Sequence, residues 1–116
     1  MDMKAILAAE IESYPTKTWT GKLGGQDVTL HARPISANDV AKVRKVSPDF
    51  PFSFDPVGMA EAIALKATDA EGQLVFDAHT VTILKRLRSG VVSDIFMTLF
   101  SDALETDEDV EENVGN

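Results

Sequence analysis

No cysteine occurs among the 116 residues. That excludes disulfides, thiolate nucleophiles and cysteine-ligated metals, and it fits a reducing compartment. Positive charge is also scarce, with 11 Lys and Arg against 19 Asp and Glu, a formal charge of −8. The imbalance sits at one end: Glu105, Asp107, Glu108, Asp109, Glu111 and Glu112 fall within residues 105–116 without a Lys or Arg among them, which leaves residues 1–104 at −2. A near-neutral body with an acidic tail argues against a general nucleic-acid binder, because affinity for phosphate backbones comes mainly from clustered Lys and Arg. No apolar run approaches the roughly 18 residues that span a bilayer. The first fifteen residues hold the acids Asp2, Glu10 and Glu12. The sequence therefore predicts a soluble protein, without membrane association and not exported by a cleaved signal.

Catalytic and ligand-binding patterns are missing too. A calcium loop of the EF-hand kind beginning at Asp69 requires glycine at its sixth position and glutamate at its twelfth, where this chain has Leu74 and Thr80. His31 and His79 have no serine nucleophile or second metal ligand at a fixed spacing. Gly21, Gly24 and Gly25 lie in a hairpin pattern, not at the strand-to-helix turn of a phosphate loop. The expectation is a non-enzymatic chain with no catalytic, cofactor or metal site.

What is present is enough apolar residue for one modest core. The body, residues 1–104, reads as a single globular domain of α+β class, mainly helical, followed by a disordered acidic tail over 105–116. Asp2 can cap a short helix over 3–13 that carries Ile6, Leu7 and Ile11 and stops at Pro15. Eleven residues are marginal for an isolated helix, so this one is expected to dock. Between about 17 and 32 the period changes to two around Gly24-Gly25, which predicts a β-hairpin whose Trp19 face lies on the helices or pairs with another chain. Ser36 and Asp39 form an imperfect capping box for a helix that ends near Val46.

The block from about Met59 to Leu104 carries most of the apolar content and reads as three helical pieces, giving about four helices after the hairpin. In the last piece Val92, Ile95, Phe96, Leu99 and Ala103 form one stripe, widened by Val91 and Phe100. A buried Phe or Leu is worth roughly 1.5–3 kcal/mol relative to an exposed one, so this face must meet the chain's own core or another subunit. With so few short elements to cover it, the outer edge around Val91 and Phe100 is expected to be shared with a neighbouring subunit. Residues 47–58 hold three prolines together with Phe50, Phe52 and Phe54. Two readings stand side by side: the rings pack over the domain's own core, or they form an arm that docks into a partner. The partner-binding candidates are accordingly Phe50, Phe52, Phe54, Val91, Phe96 and Phe100.

The order of these parts resembles a known family. A hairpin running from Trp19-Thr20-Gly21 to Val28-Thr29-Leu30, a Pro34-Ile35-Ser36 lead into a helix, an Ala-rich helix ending in Thr68-Asp69-Ala70-Glu71-Gly72, and Phe76-Asp77 opening a helix pair before an acidic end are similar to the tail assembly chaperones of long-tailed phages. The likeness spans roughly residues 17–112. It implies a non-enzymatic factor in the host cytoplasm, absent from the mature virion, that binds and solubilises the tape measure protein, helps recruit tail tube protein, and self-associates. It brings no catalytic or ligand motif. Two rival readings remain: a small DNA-binding phage or prophage regulator that uses the 78–104 helix pair, and a structural tail or head-completion subunit. Against the first, Ser93, Asp94, Thr98, Ser101 and Asp102 on the second helix supply no positive charge.

Overall fold

A computed structural model describes residues 1–53 and 55–101. The chain is α+β and mainly helical: α1 (Met3–Ser13), β1 (Lys17–Leu23), β2 (Gln26–Ala32), α2 (Ala37–Arg44), α3 (Pro56–Lys66), α4 (Ala78–Leu84) and a further helix, α5, over residues 89–101. Phe54, Ala103 and the expected acidic tail lie outside the described residues. Among the described residues no helix is long and apolar enough to cross a membrane.

The hairpin forms as its alternation predicts. β1 and β2 pair antiparallel from Lys17↔Ala32 to Leu23↔Gln26, and the two-residue turn between them places Gly24 and Gly25 at φ values of 60° and 78°. Only glycine adopts two such angles in succession without a steric penalty. Trp19, Leu30 and Ala32 point into the core, while Thr18, Thr20 and Thr29 face outward. The helices therefore cover one face of the hairpin. The Trp19 indole also donates a 2.9 Å hydrogen bond to the Asp94 carboxylate, which ties the hairpin to α5. At the other edge of β2, His31 exchanges backbone hydrogen bonds of 3.0 and 2.8 Å with Thr68. The turn that follows is closed by the Asp69 carboxylate, which accepts the amides of Glu71 and Gln73.

Each helix start has a local cause. In the Ser36 box the shorter Asp39 side chain still reaches back, its carboxylate accepting the Ser36 amide at 2.9 Å while the Ser36 hydroxyl accepts the Asp39 amide at 3.1 Å. Asp77 and Thr80 form a second reciprocal cap on α4. α3 begins earlier than expected, at Pro56 and not near Met59. Asp55 caps it by accepting the Gly58 amide at 2.8 Å, and Pro56 occupies the first turn, where a missing N–H costs nothing. α4 is shorter than the expected 78–88, because the chain tightens into a turn over 85–87 before α5. Gly58 lets α3 approach the preceding connection closely: a Cβ there would stand 2.8 Å from Ser47 Oγ.

The core centres on α5, whose Val92, Ile95, Phe96, Leu99 and Phe100 are all buried. Met59, Ala60, Ala62 and Ile63 of α3 join them, with Val43 of α2, Leu84 of α4 and Phe50 of the connection between α2 and α3. Two ion pairs brace the helices: Lys66 with Asp39 at 2.9 Å between α3 and α2, and Lys85 with Glu61 at 2.5 Å between α4 and α3.

Two expectations are corrected here. α1 forms with Asp2 as its cap, yet it buries none of its residues and stands outside the core. Phe100 is 1% exposed and Phe96 fully covered, so neither is a shared outer edge within this chain; only Val91 is half-buried. Periodicity places a stripe on a helix but does not reveal how many elements converge on it; here the hairpin, α2, α3, α4 and the Phe50 connection all join it.

Two measurements follow from this packing. A carboxylate at position 100 would be buried with no partner, so Phe100→Asp should abolish the cooperative urea transition, while Phe96→Ala should lower stability by about 3–5 kcal/mol. The second concerns pH. Burial tends to raise the Asp39 carboxyl pKa, but the Ser36 amide, the Lys66 ammonium and the Ser36 hydroxyl outweigh it and hold the pKa below the usual carboxylate value. Asp55 and Asp77 are lowered as well, chiefly by the Ser47 hydroxyl and the Thr80 amide respectively. A depressed folded-state pKa gives stability that is present above the unfolded value and lost as pH falls toward the folded one. The urea midpoint should therefore hold from pH 7 to 5 and fall below about pH 4, and the fall should be smaller in Asp39→Asn.

Candidate functional site: the phenylalanine connection

The segment between α2 and α3 places its two described phenylalanines differently. Phe50 is fully buried, and its ring meets Phe96 edge-on, with centroids 6.1 Å apart at 81°. Two residues further on, Phe52 is 83% exposed. Phe54 lies outside the described residues. Pro51 and its cis peptide bond to Phe50 separate the anchored ring from the displayed one.

The display is held from both sides. Arg44, at the end of α2, donates from Nε to the Phe50 carbonyl at 2.6 Å, and its guanidinium lies 5.7 Å from the Phe52 ring centroid. A cation stacked in this way restricts the ring without covering it. On the α3 side the Ser47 hydroxyl donates to the Asp55 carboxylate, which also caps α3 through Gly58. The Ser47 hydroxyl is the first cause of the lowered Asp55 pKa, followed by the Gly58 amide. Backbone bonds from Phe50 to Ser47 and from Ser53 to Asp49 close the turn between these ties. Val46 within the connection and Val57 just after it are exposed as well.

This arrangement suits recognition. A large apolar ring held in one place loses little conformational freedom on binding, so more of its burial appears as affinity. Of the candidates from the sequence, Phe52 is displayed, Val91 is half-buried, and Phe50, Phe96 and Phe100 belong to the core. Arg44 went unrecognised as part of the site, because its spacing with Lys42 and Lys45 reads as a solvated basic patch. The only sign available was its position six residues before Phe50.

Elsewhere the polar groups are engaged in structure. An open cleft of about 560 Å³ runs between the base of the hairpin and the 68–74 turn, lined by His31, Arg33, Lys66 and Asp69 among others. His31 Nδ1 meets the Thr18 hydroxyl at 3.0 Å, Lys66 pairs with Asp39, and Asp69 closes its own turn. Among the described residues no three His, Asp or Glu side chains gather where they could hold a metal ion.

Against family models, characterised proteins and solved structures, the chain finds no match in any of the three comparisons.

The anchored and displayed rings should separate in a mutational pair. Phe50→Ala should cost about 3–5 kcal/mol in urea denaturation, whereas Phe52→Ser should shift stability by no more than about 0.5 kcal/mol.

Proposed function

We propose that this chain is a tail assembly chaperone of a long-tailed phage, a non-enzymatic factor that works in the host cytoplasm and is absent from the mature virion. Its client is the tape measure protein, whose long apolar helical stretches it keeps soluble while tail tube protein is recruited. The reading rests first on the sequence resemblance already described. The single structural observation that supports it is Phe52, a phenylalanine displayed in water by a buried neighbour and a stacked guanidinium. A ring fixed in that way is suited to an apolar client, because covering it removes apolar area from water without first having to order the loop. Val46 and Val57, close to it in the chain, are exposed as well.

Of the two described rings in the connection, Phe50 differs from the sequence expectation of a client contact, because it is buried. Client contact falls to Phe52, with Phe50 as its anchor.

The test is co-purification with an apolar helical fragment of a tape measure protein. Phe52→Ser, shown to be folded by circular dichroism, should lower recovery of the fragment at least roughly tenfold, the effect of about 1.4 kcal/mol. Unchanged recovery would remove Phe52 from the client surface. Mass spectrometry of purified particles gives the second outcome: abundant copies in the virion would favour a structural subunit instead.

A further inference from the structure

The last turn of α2 carries three cations, and one of them holds the displayed ring. Lys42 and Arg44 lie in that turn and Lys45 follows as its cap residue, all three exposed. Arg44 is engaged with the Phe50 carbonyl and the Phe52 ring. Lys42 and Lys45 join no ion pair among the described residues. The helix macrodipole favours cations at this end of α2, but it supplies no counterion for them. A basic helix end joined to an exposed aromatic ring is a surface for an anionic segment that also carries an apolar residue.

The chain itself holds a segment of that composition. Residues 105–112 contain six acids with Val110 among them and no Lys or Arg. The chain leads into them from beside this surface. Phe100, one residue before the last described position, is 5.3 Å from Phe96, the Phe96 ring is 6.1 Å from that of Phe50, and the Phe50 carbonyl accepts from Arg44 at 2.6 Å. Residues 102–112 extend to about 37 Å at most, which exceeds this path. The other basic cluster, Lys85, Arg86 and Arg88, precedes α5, so the length of that helix, about 20 Å, separates it from residue 101. Lys85 is also already paired with Glu61.

We infer that residues 105–112 dock on the Lys42–Arg44–Lys45 surface of their own chain and lie across Phe52, so that the acidic segment competes with whatever Phe52 binds. Exposed ion pairs are individually weak and screened by salt. Tethering raises the effective concentration of the segment to about the millimolar range, which is sufficient for a contact that opens and closes. A segment docked about two-thirds of the time leaves one third of the rings free and weakens apparent affinity at Phe52 about threefold. Only the effect on a client rests on the chaperone reading; the docking does not.

Paramagnetic relaxation enhancement on the full chain tests the docking, and the absence of cysteine lets one nitroxide be placed beside the acids at Asn113→Cys. At low salt the label should broaden the amides between 42 and 53 more than those between 85 and 90. The broadening should fade in about 1 M salt, where the Debye length is about 3 Å, and in Lys42→Glu/Lys45→Glu, shown to be folded by circular dichroism. Broadening that is absent, that falls on 85–90 instead, or that survives both changes would overturn the docking. So would broadening of equal strength when a nitroxide-labelled chain is mixed with a nitrogen-15 chain that lacks the label, because the segment would then come from a neighbour. The cover over Phe52 has its own measurement: Phe52→Cys, reacted with uncharged N-ethylmaleimide, should be alkylated about threefold faster once the six acids are replaced by Asn and Gln. Equal rates would overturn the cover. Both measurements are made without a client, so their failure is distinct from failure of the chaperone reading.

Discussion

Phe96 is the side chain through which the fold holds together. Its ring meets Phe50 edge-on at 6.1 Å and Phe100 at 5.3 Å, so one residue of α5 joins its own next turn to the connection between α2 and α3. Because Phe50 is drawn inward by this contact, the following residues must turn back toward solvent within a few positions. The exposure of Phe52 is thus a by-product of core packing. Arg44 then converts an exposed ring into a fixed one, bonding the backbone on the core side while stacking on the ring outside.

The same helix organises the hairpin. A two-stranded sheet is barely stable alone in water, and here Trp19 supplies both the apolar contact and a directed one, through its indole N–H to Asp94. Asp94 lies on the polar side of the α5 stripe, so the bond reaches around the edge of the core and fixes the angle of the hairpin to the helix. His31 and Thr68 then close the other edge of β2. The polar contacts set orientation, while burial supplies most of the driving force.

Phe52 and α1 both lie outside this core, and they differ in kind. Phe52 is a single exposed ring with the Arg44 guanidinium over it. α1 is a whole helix face joined to the body by three residues.

Much of the chain's local structure was legible in its residues. The hairpin, its turn at Gly24-Gly25, the caps at Asp2, Ser36 and Asp77, and the α5 stripe all follow from interactions within a few positions: alternation, positive φ and side chains that accept nearby amides. The start of α3 was misjudged because proline reads as a breaker until its place in the first turn is known. The division of Phe50 from Phe52 could not be read at all, since two identical residues two positions apart are told apart only by Phe96, more than forty positions later. Nor could the sequence show that Phe100 is enclosed while α1 is left bare. Short-range chemistry thus determined which elements form. Only the tertiary structure decided which apolar faces they cover, because burial depends on residues far apart in the chain arriving at the same place.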